Sequence, residues 1–239
     1  HFIIPCLLLS QLQVSFFRRR CIFSSCRGNI HMSKSLATGF NRLAPIYDAL
    51  ARVAIGKGIR TSQLHFLNHL RERRKLLILG GGTGWILPYI IKSNPTIQID
   101  YVDISHRMIE QARSNVSADF QVRFIVGTEE NIPDKNYDCV ITNFYLDLFD
   151  DVNLGHAVFC IKNSILPNAI WVATDFIDEI PWHRRVLAIM FWFFRVTTGL
   201  RTKKLPLWEK ELRKAGGTQL EIAKYSRGFI KSVVFRFPI

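Results

Sequence analysis

Between Leu79 and Trp85 the chain reads Leu-Gly-Gly-Gly-Thr-Gly-Trp, with Gly80, Gly82 and Gly84 at alternate positions. Glycine is needed where backbone turns tightly or must touch a ligand with no Cβ in the way. The apolar run Leu76–Leu79 precedes this loop and a helical pattern follows it, so the glycines form a strand-to-helix turn of the kind that cradles nucleotides. The dinucleotide fingerprint GxGxxG needs a glycine where Trp85 stands, and a phosphate-binding P-loop needs Lys then Ser or Thr in place of Trp85-Ile86. The loop therefore suits a nucleotide-like ligand without demanding a pyrophosphate. Asp103 ends the second apolar run, 19 residues after Gly84. An ionised carboxylate there offers two acceptor oxygens for the two hydroxyls of a ribose. After the third run, Gly127-Thr128-Glu129-Glu130-Asn131-Ile132-Pro133 puts polar groups where an adenine edge would lie. Taken singly, Asp103 reads equally as a solvated strand end, and Glu129-Glu130 as a solvated loop or a helix start. Their order along the chain argues for one site.

The elements that must position these residues alternate. Leu76–Leu79, Ile97–Asp103, Val122–Val126, Tyr137–Thr142 and Ala169–Phe176 read as strands, the first as a buried parallel strand. Helices are expected at about Trp85–Lys92, stopped by Asn94-Pro95, and after Ser105, an N-cap residue preceding Met108, Ile109, Ala112 and Val116 on one face. Further helices are expected at Asp150–Asn163, at about 182–198 and at 207–215. Two closing strands near 218–224 and 228–236, one turn apart, pair antiparallel. The pattern predicts an α/β fold, a doubly wound Rossmann-like seven-stranded sheet, mostly parallel with an antiparallel last strand. Ligands of such sheets bind beyond the carboxyl ends of the strands, where the strand order reverses.

Composition narrows the classes. With 239 residues, 48% hydrophobic and 12% aromatic, the chain can build a full core, which excludes global disorder. Its net charge of +13 favours acidic partners, nucleic acid or an anionic membrane surface, without choosing between them. Five cysteines without CxxC spacing argue against a disulfide scaffold and a thiolate metal site. The His65/His69 pair lacks the Glu at position 66 of a zinc-protease helix, where Phe66 stands, and reads as a partly buried helix face. No metal is expected. Residues 1–31 begin with His1 and carry Arg18, Arg19, Arg20 and Arg27 with no acid. They read as mistranslated upstream sequence or as a mitochondrial presequence, and stand outside the fold reasoning. The organisation expected is 1–31 as leader or upstream segment, 32–74 as an N-terminal helical lid, and 75–239 as the main domain with a cap helix at about 182–198.

Four segments together resemble the class I S-adenosylmethionine-dependent methyltransferases, nearest to the quinone-biosynthesis C-methyltransferases and related small-molecule enzymes. They are Phe40–Asp48 (FNRLAPIYD), the Gly80–Gly84 loop, Val102-Asp103-Ile104-Ser105 with Met108, and Gly127–Pro133. The resemblance implies S-adenosyl-L-methionine as cofactor. Gly80, Gly82 and Gly84 would wrap its methionine and ribose, Asp103 would hold the ribose hydroxyls, and Ile104 or Met108 would pack on adenine. Thr128 and Glu129 would face the adenine amine, Asn143 would line the methyl-transfer point, and Tyr47 would ride on a mobile helix closing over the site. Two departures stand out: Ile78 replaces an acid two residues before the first glycine, and Thr128 replaces the acid after the third-loop glycine.

Methyl transfer from a sulfonium depends chiefly on positioning, with a base needed only when the acceptor must lose a proton. Asp147 and Tyr145, in Thr142–Phe149 (TNFYLDLF), are the candidates for that proton, while Asp147 reads equally as a cap beside Asp150 and Asp151. His183 reads as a helix-start residue near the substrate opening. Trp182, Phe191, Trp192, Phe193 and Phe194 with nearby arginines suit an apolar, quinone- or lipid-like acceptor, or a peripheral membrane contact through 182–204; a cap helix on the sheet fits them as well. RNA methylation is the alternative, along with a cofactor-binding protein without transfer activity. The protein is expected to be cytoplasmic, peripheral to a membrane if 182–204 touches one, and mitochondrial if 1–31 is a presequence.

Overall fold

The computed structural model describes residues 37–42, 57–198 and 204–238. Residues 1–31 and Tyr47 lie outside the described residues. Strands β1 (Lys75–Leu79), β2 (Gln98–Asp103), β3 (Val122–Val126), β4 (Tyr137–Asn143), β5 (Ile165–Phe176), β6 (Thr218–Tyr225) and β7 (Ile230–Phe237) form one sheet. Its order is β3-β2-β1-β4-β5-β7-β6, with β7 antiparallel to both neighbours and β1 to β5 parallel. This is the expected doubly wound topology.

Continuous apolar runs make sense here because both faces of the central strands are covered. Leu76 and Ile78 of β1 face one layer and Leu77 and Leu79 the other, all at most 2% exposed. The first layer holds α1 (Gly58–Leu64), α2 (Leu87–Ser93) and α3 (His106–Ser114) through Leu64, Ile90, Ile109 and Ala112. The second holds α4 (Asp151–Lys162) through Leu154 and Val158, after which α5 (Pro181–Thr198) leads to α6 (Trp208–Lys214), whose Trp208 and Leu212 join the second layer. Helix α5 packs Leu187 and Phe191 on a third cluster with Phe176, Phe229 and Ile230.

Several boundaries differ from expectation for identifiable reasons. Helix α2 starts at Leu87, two residues late, because Pro88, which has no N–H, occupies its first turn. Strand β5 begins at Ile165, not Ala169: the β4 partner shifts between Tyr137 and Cys139, and Asn168 adopts φ 62°, so the strand continues through a bulge that Pro167 disguises. The histidine pair does not share a helix face. Helix α1 ends at Leu64, His65 packs edge-on against Phe66 and Tyr225, and His69 lies in a 3-10 turn with Nε2 2.8 Å from Glu221. That turn, expected within the lid, buries Leu67 and Leu70 in the first core layer.

A polar knot closes the amino half of the sheet. Asp100 on β2, 4% exposed, accepts from Arg123 Nε (2.6 Å) and Nη2 (2.7 Å) and from the Tyr137 hydroxyl (2.5 Å). Asp134 joins Arg123 to Lys75, whose ammonium holds the Asp134 carboxyl below its ordinary value. Removing Asp100 strands the buried Tyr137 hydroxyl, whereas Arg123 is half-exposed and can turn to water. Asp100→Ala is expected to cost about 1–3 kcal/mol in denaturant unfolding, and Arg123→Ala at least about 1–3 kcal/mol as well, because it leaves the buried Asp100 carboxylate without its guanidinium.

Candidate active site

Strands β2 and β3 lie on one side of β1, and β4 and β5 on the other, so the chain leaves the carboxyl ends of β1 and β4 in opposite directions. In doubly wound sheets ligands bind in the crevice at such a reversal. One wall is the glycine loop. Gly80, Gly82 and Gly84 adopt φ 63°, 65° and 75°, the left-handed region that favours glycine. A Cβ on Gly80 would meet Tyr145 at 2.5 Å and one on Gly84 would meet Ala112 of α3 at 2.5 Å, so these two serve close packing. A Cβ on Gly82 would meet nothing within 4 Å. Gly82 thus faces open space, a cradle that a side chain would fill. The loop is tied down by Gly80 N–H donating to Val102 O (3.0 Å), the Tyr101 hydroxyl donating to Gly82 O (3.0 Å) and Asn115 Nδ2 donating to Thr83 O (2.8 Å). Ile78 sits inside the core, so no carboxylate replaces the missing acid there.

Asp103 joins the loop to the next element. Its Oδ2 accepts from Gly82 N–H and its Oδ1 from Ser105 N–H, both at 2.8 Å. Burial pushes its carboxyl up to about 6, against the pull of those two N–H groups. Ser105 caps α3 by accepting from Met108 N–H and donates to Asn41 Oδ1 at 2.6 Å. Ile104 is partly exposed beside Asp103, and Met108 is buried. In the third loop the Thr128 hydroxyl and Asn131 form a capping box, and Gly127 N–H donates to Asp103 O. Glu129 is nearly buried, and its Oε2 accepts from the Tyr145 hydroxyl at 2.6 Å.

That bond corrects one expectation. Burial and the Glu129 charge push the Tyr145 hydroxyl well above its ordinary value. Tyr145 stays protonated as a donor that ties the two walls together, and is no proton acceptor. The second expectation for this wall fares differently. Asp150 caps α4 by accepting from Asn153 N–H, which leaves Asp147 free of capping. Asp147 is 8% exposed, its Oδ1 has no partner among the described residues, and burial pushes its carboxyl up to about 7. Asn143 Oδ1 is likewise buried and unpartnered among them. The turn that presents both is held by Asp175 at the end of β5. Its Oδ2 accepts from Leu146 N–H (3.0 Å) and Asp147 N–H (3.2 Å), and its Oδ1 from Phe176 N–H (2.8 Å). Burial, with the Asp147 charge, raises Asp175 well above the usual carboxylate range. Phe144 takes φ 52° as the chain enters the turn, a strained position of the kind found at functional sites.

Sequence reading missed Asp175, the bond of Asn41 to Ser105 and the strain at Phe144. An acid closing the apolar run Ala169–Phe176 was the available signal, the same that marked Asp103. The helical residues 37–42 bridge α3 and α5: Asn41 holds Ser105 and Arg107, and the Phe40 ring lies 6.3 Å from Phe194. Aromatic rings roof the β4–β5 side, Phe144 lying 4.7 Å from Phe176, which lies 4.9 Å from Phe229. His183 packs on Phe229; its Nδ1 accepts from Glu179 N–H, and its Nε2 is unpartnered among the described residues. No group of three or more metal-ligating side chains occurs among the described residues. The nucleoside features expected of the first three loops do converge, and the open cradle at Gly82 beside Asp103 fits an adenosine-type cofactor.

Residues 76–168 match a family model described as a methyltransferase domain. Malonyl-[acyl-carrier protein] O-methyltransferase of Halalkalibacterium halodurans is 31% identical over 147 residues, 57% of this chain and 53% of that protein. The chain spans about half the length of the curated relatives it matches. Among solved structures, a DhpI–SAH complex superposes with a TM-score of 0.66 at 16% identity, covering 87% of this chain and 97% of that one. Burkholderia thailandensis 1,6-didemethyltoxoflavin-N1-methyltransferase, with bound 1,6-didemethyltoxoflavin and S-adenosylhomocysteine, superposes at 0.64 with 15% identity, over 87% and 90% of the two chains. At these identities the structural likeness is one of fold.

Two outcomes check the cofactor wall. Gly82→Ala should weaken S-adenosylhomocysteine binding by about tenfold or more in calorimetry, while its left-handed backbone costs only about 1–2 kcal/mol of stability; Gly84→Ala should instead lower stability first. If the ionised Asp103 accepts the ribose hydroxyls, affinity should be full above its value of about 6 and fall as pH drops through it. Asp103→Asn should abolish that pH dependence.

Proposed function

We propose that this chain, whose residues 76–168 match a methyltransferase-domain family model, is a class I S-adenosylmethionine-dependent methyltransferase that transfers a methyl group from S-adenosyl-L-methionine to a small apolar or aromatic acceptor of the quinone or lipid kind. The observation that carries the reading is the pairing of walls: an open glycine cradle beside Asp103 on one, and the unpartnered buried carboxyl of Asp147 under an aromatic roof on the other.

When bound, the cofactor supplies an electrophilic methyl group on a sulfonium that departs as a neutral thioether. The chain supplies the rest. The Gly82 backbone leaves room for the methionine and ribose part, and Asp103 accepts the ribose hydroxyls with the lone pairs that Gly82 and Ser105 do not use. Ile104 offers an apolar surface to adenine, with Met108 behind it, and Thr128 and Glu129 border the adenine edge. Asn143 Oδ1 offers an acceptor at the transfer point. Asp147 takes the proton of an acceptor hydroxyl or activated carbon; burial has brought it near neutrality, where a general base is most effective. Asp175 is a positioning residue, ordering the backbone that carries Asp147. Residues 37–42 act as part of a lid through Asn41, which holds Ser105 and Arg107.

A carboxyl acceptor, as the name of the curated relatives suggests for those proteins, is the second reading, favoured by the 31% identity. Against it stands Asp147, whose carboxyl, once ionised above about 7, would meet a carboxylate acceptor with like charge. RNA ranks behind both, because the described residues contain no appended nucleic-acid module.

Methyl-labelled cofactor and cell extract distinguish these readings. Label is expected in the organic phase and should resist mild alkaline hydrolysis. Label released by alkali would support a carboxyl ester, label in macromolecules RNA or protein, and binding without any transfer a cofactor-binding protein. Once the acceptor is known, Asp147→Asn should lower kcat by about 10²–10⁴-fold with unchanged S-adenosylhomocysteine affinity. The wild-type rate should rise with pH through about 7, as Asp147 loses its proton.

A further inference from the structure

Helix α5 has two apolar faces, and only one is used by the fold. His183, Leu187, Phe191 and Thr198 are buried against the third core cluster and the segment 37–42. On the opposite side Ile189, Trp192 and Val196 are 68%, 65% and 68% exposed, at the three- and four-residue spacing that makes one stripe along a helix. Side chains of this size exposed in a row are a signature of an interaction surface, unlike scattered single ones. Arginines frame the stripe: Arg184 and Arg185 at its start and Arg195 near its end, all exposed. Residues Pro181–Thr198 include no Asp or Glu. Arg184 pairs with Asp178, whereas Arg185 and Arg195 have no acidic partner among the described residues.

We infer that this outer face of α5 docks the protein on an anionic membrane surface, with Ile189, Trp192 and Val196 entering the headgroup boundary and Arg185 and Arg195 meeting lipid phosphates. The charge pattern selects this occupant. A second copy of the chain would bring arginines against arginines with no acid on the face to pair them. A lipid surface instead offers negative charge and an apolar layer at the same depth, which an apolar stripe edged by arginine requires, and Trp is suited to that boundary. The contact is peripheral, because no helix among the described residues is long and apolar enough to cross a membrane. The inner face of α5 roofs the aromatic side of the crevice, so docking would set that side next to the bilayer. The inference itself needs only the surface, not methyl transfer.

The test is co-sedimentation of the full chain with vesicles of phosphatidylcholine alone and of phosphatidylcholine mixed with phosphatidylglycerol. The protein should pellet with the mixed vesicles, less so as salt is raised, and hardly at all with neutral ones. The double variant I189S/W192S should lower partitioning about tenfold or more, and R185Q/R195Q should remove the preference for anionic lipid. Both variants should keep the wild-type circular dichroism and S-adenosylhomocysteine affinity, since the altered side chains are exposed and outside the crevice. Absence of binding to mixed vesicles would overturn the proposal. So would pelleting undiminished in I189S/W192S, or an Ile189- and Trp192-dependent self-association or RNA binding in place of vesicle binding.

Discussion

Asp103 is a carboxylate taken almost wholly out of water, and the site depends on how that cost is met. Burial alone would drive it to the neutral form, and two backbone N–H groups oppose this, one from Gly82 and one from Ser105. These donors belong to different elements, so satisfying the carboxylate fixes the middle of the glycine loop relative to the start of α3. Ser105 carries the tie onward: its hydroxyl caps α3 and donates to Asn41, whose segment reaches α5. A charge at the amino end of a helix is favourable in itself. One strand-end acid thereby links the glycine loop, α3 and the 37–42 segment.

Asp175 repeats the device across the switch point. It closes β5 as Asp103 closes β2, and it gathers three N–H groups of the 146–147 turn and of its own neighbour. Its burial is deeper, at 1% exposed, and its neighbour Asp147 carries a second carboxyl. Burial raises both carboxyls, Asp147 to about 7 and Asp175 well above the usual carboxylate range, with the Asp147 charge adding to the rise at Asp175. The two walls accordingly differ in chemistry although built alike: one fixes a carboxylate as an acceptor, the other keeps a proton in play.

The parallel strands were legible because burial on both faces writes an unbroken apolar run, as in Leu76–Leu79. The Ser105 cap was legible because it is a local hydrogen bond, three residues long. Gly80, Gly82 and Gly84 were legible as a cradle, but their separate roles were not. Gly80 is shaped by Tyr145 and Gly84 by Ala112, each distant in sequence, and only the fold leaves Gly82 open. Tyr145 looked like a proton acceptor for the same reason; its bond to Glu129 spans 16 residues. The β5 bulge was hidden by Pro167, which read as a break. Asp147 was ambiguous between cap and base in the sequence; the capping role belongs to Asp150.

Coverage of about half of each curated relative and structural likeness at about 15% identity place the fold firmly and leave the acceptor to chemistry. The most direct check of the account is a crystal structure of the chain with S-adenosylhomocysteine. It should show the ligand passing over Gly82 with both ribose hydroxyls on Asp103 and its sulfur turned toward Asn143 and Asp147. A ligand seated elsewhere, or a ribose making no contact with Asp103, would contradict it.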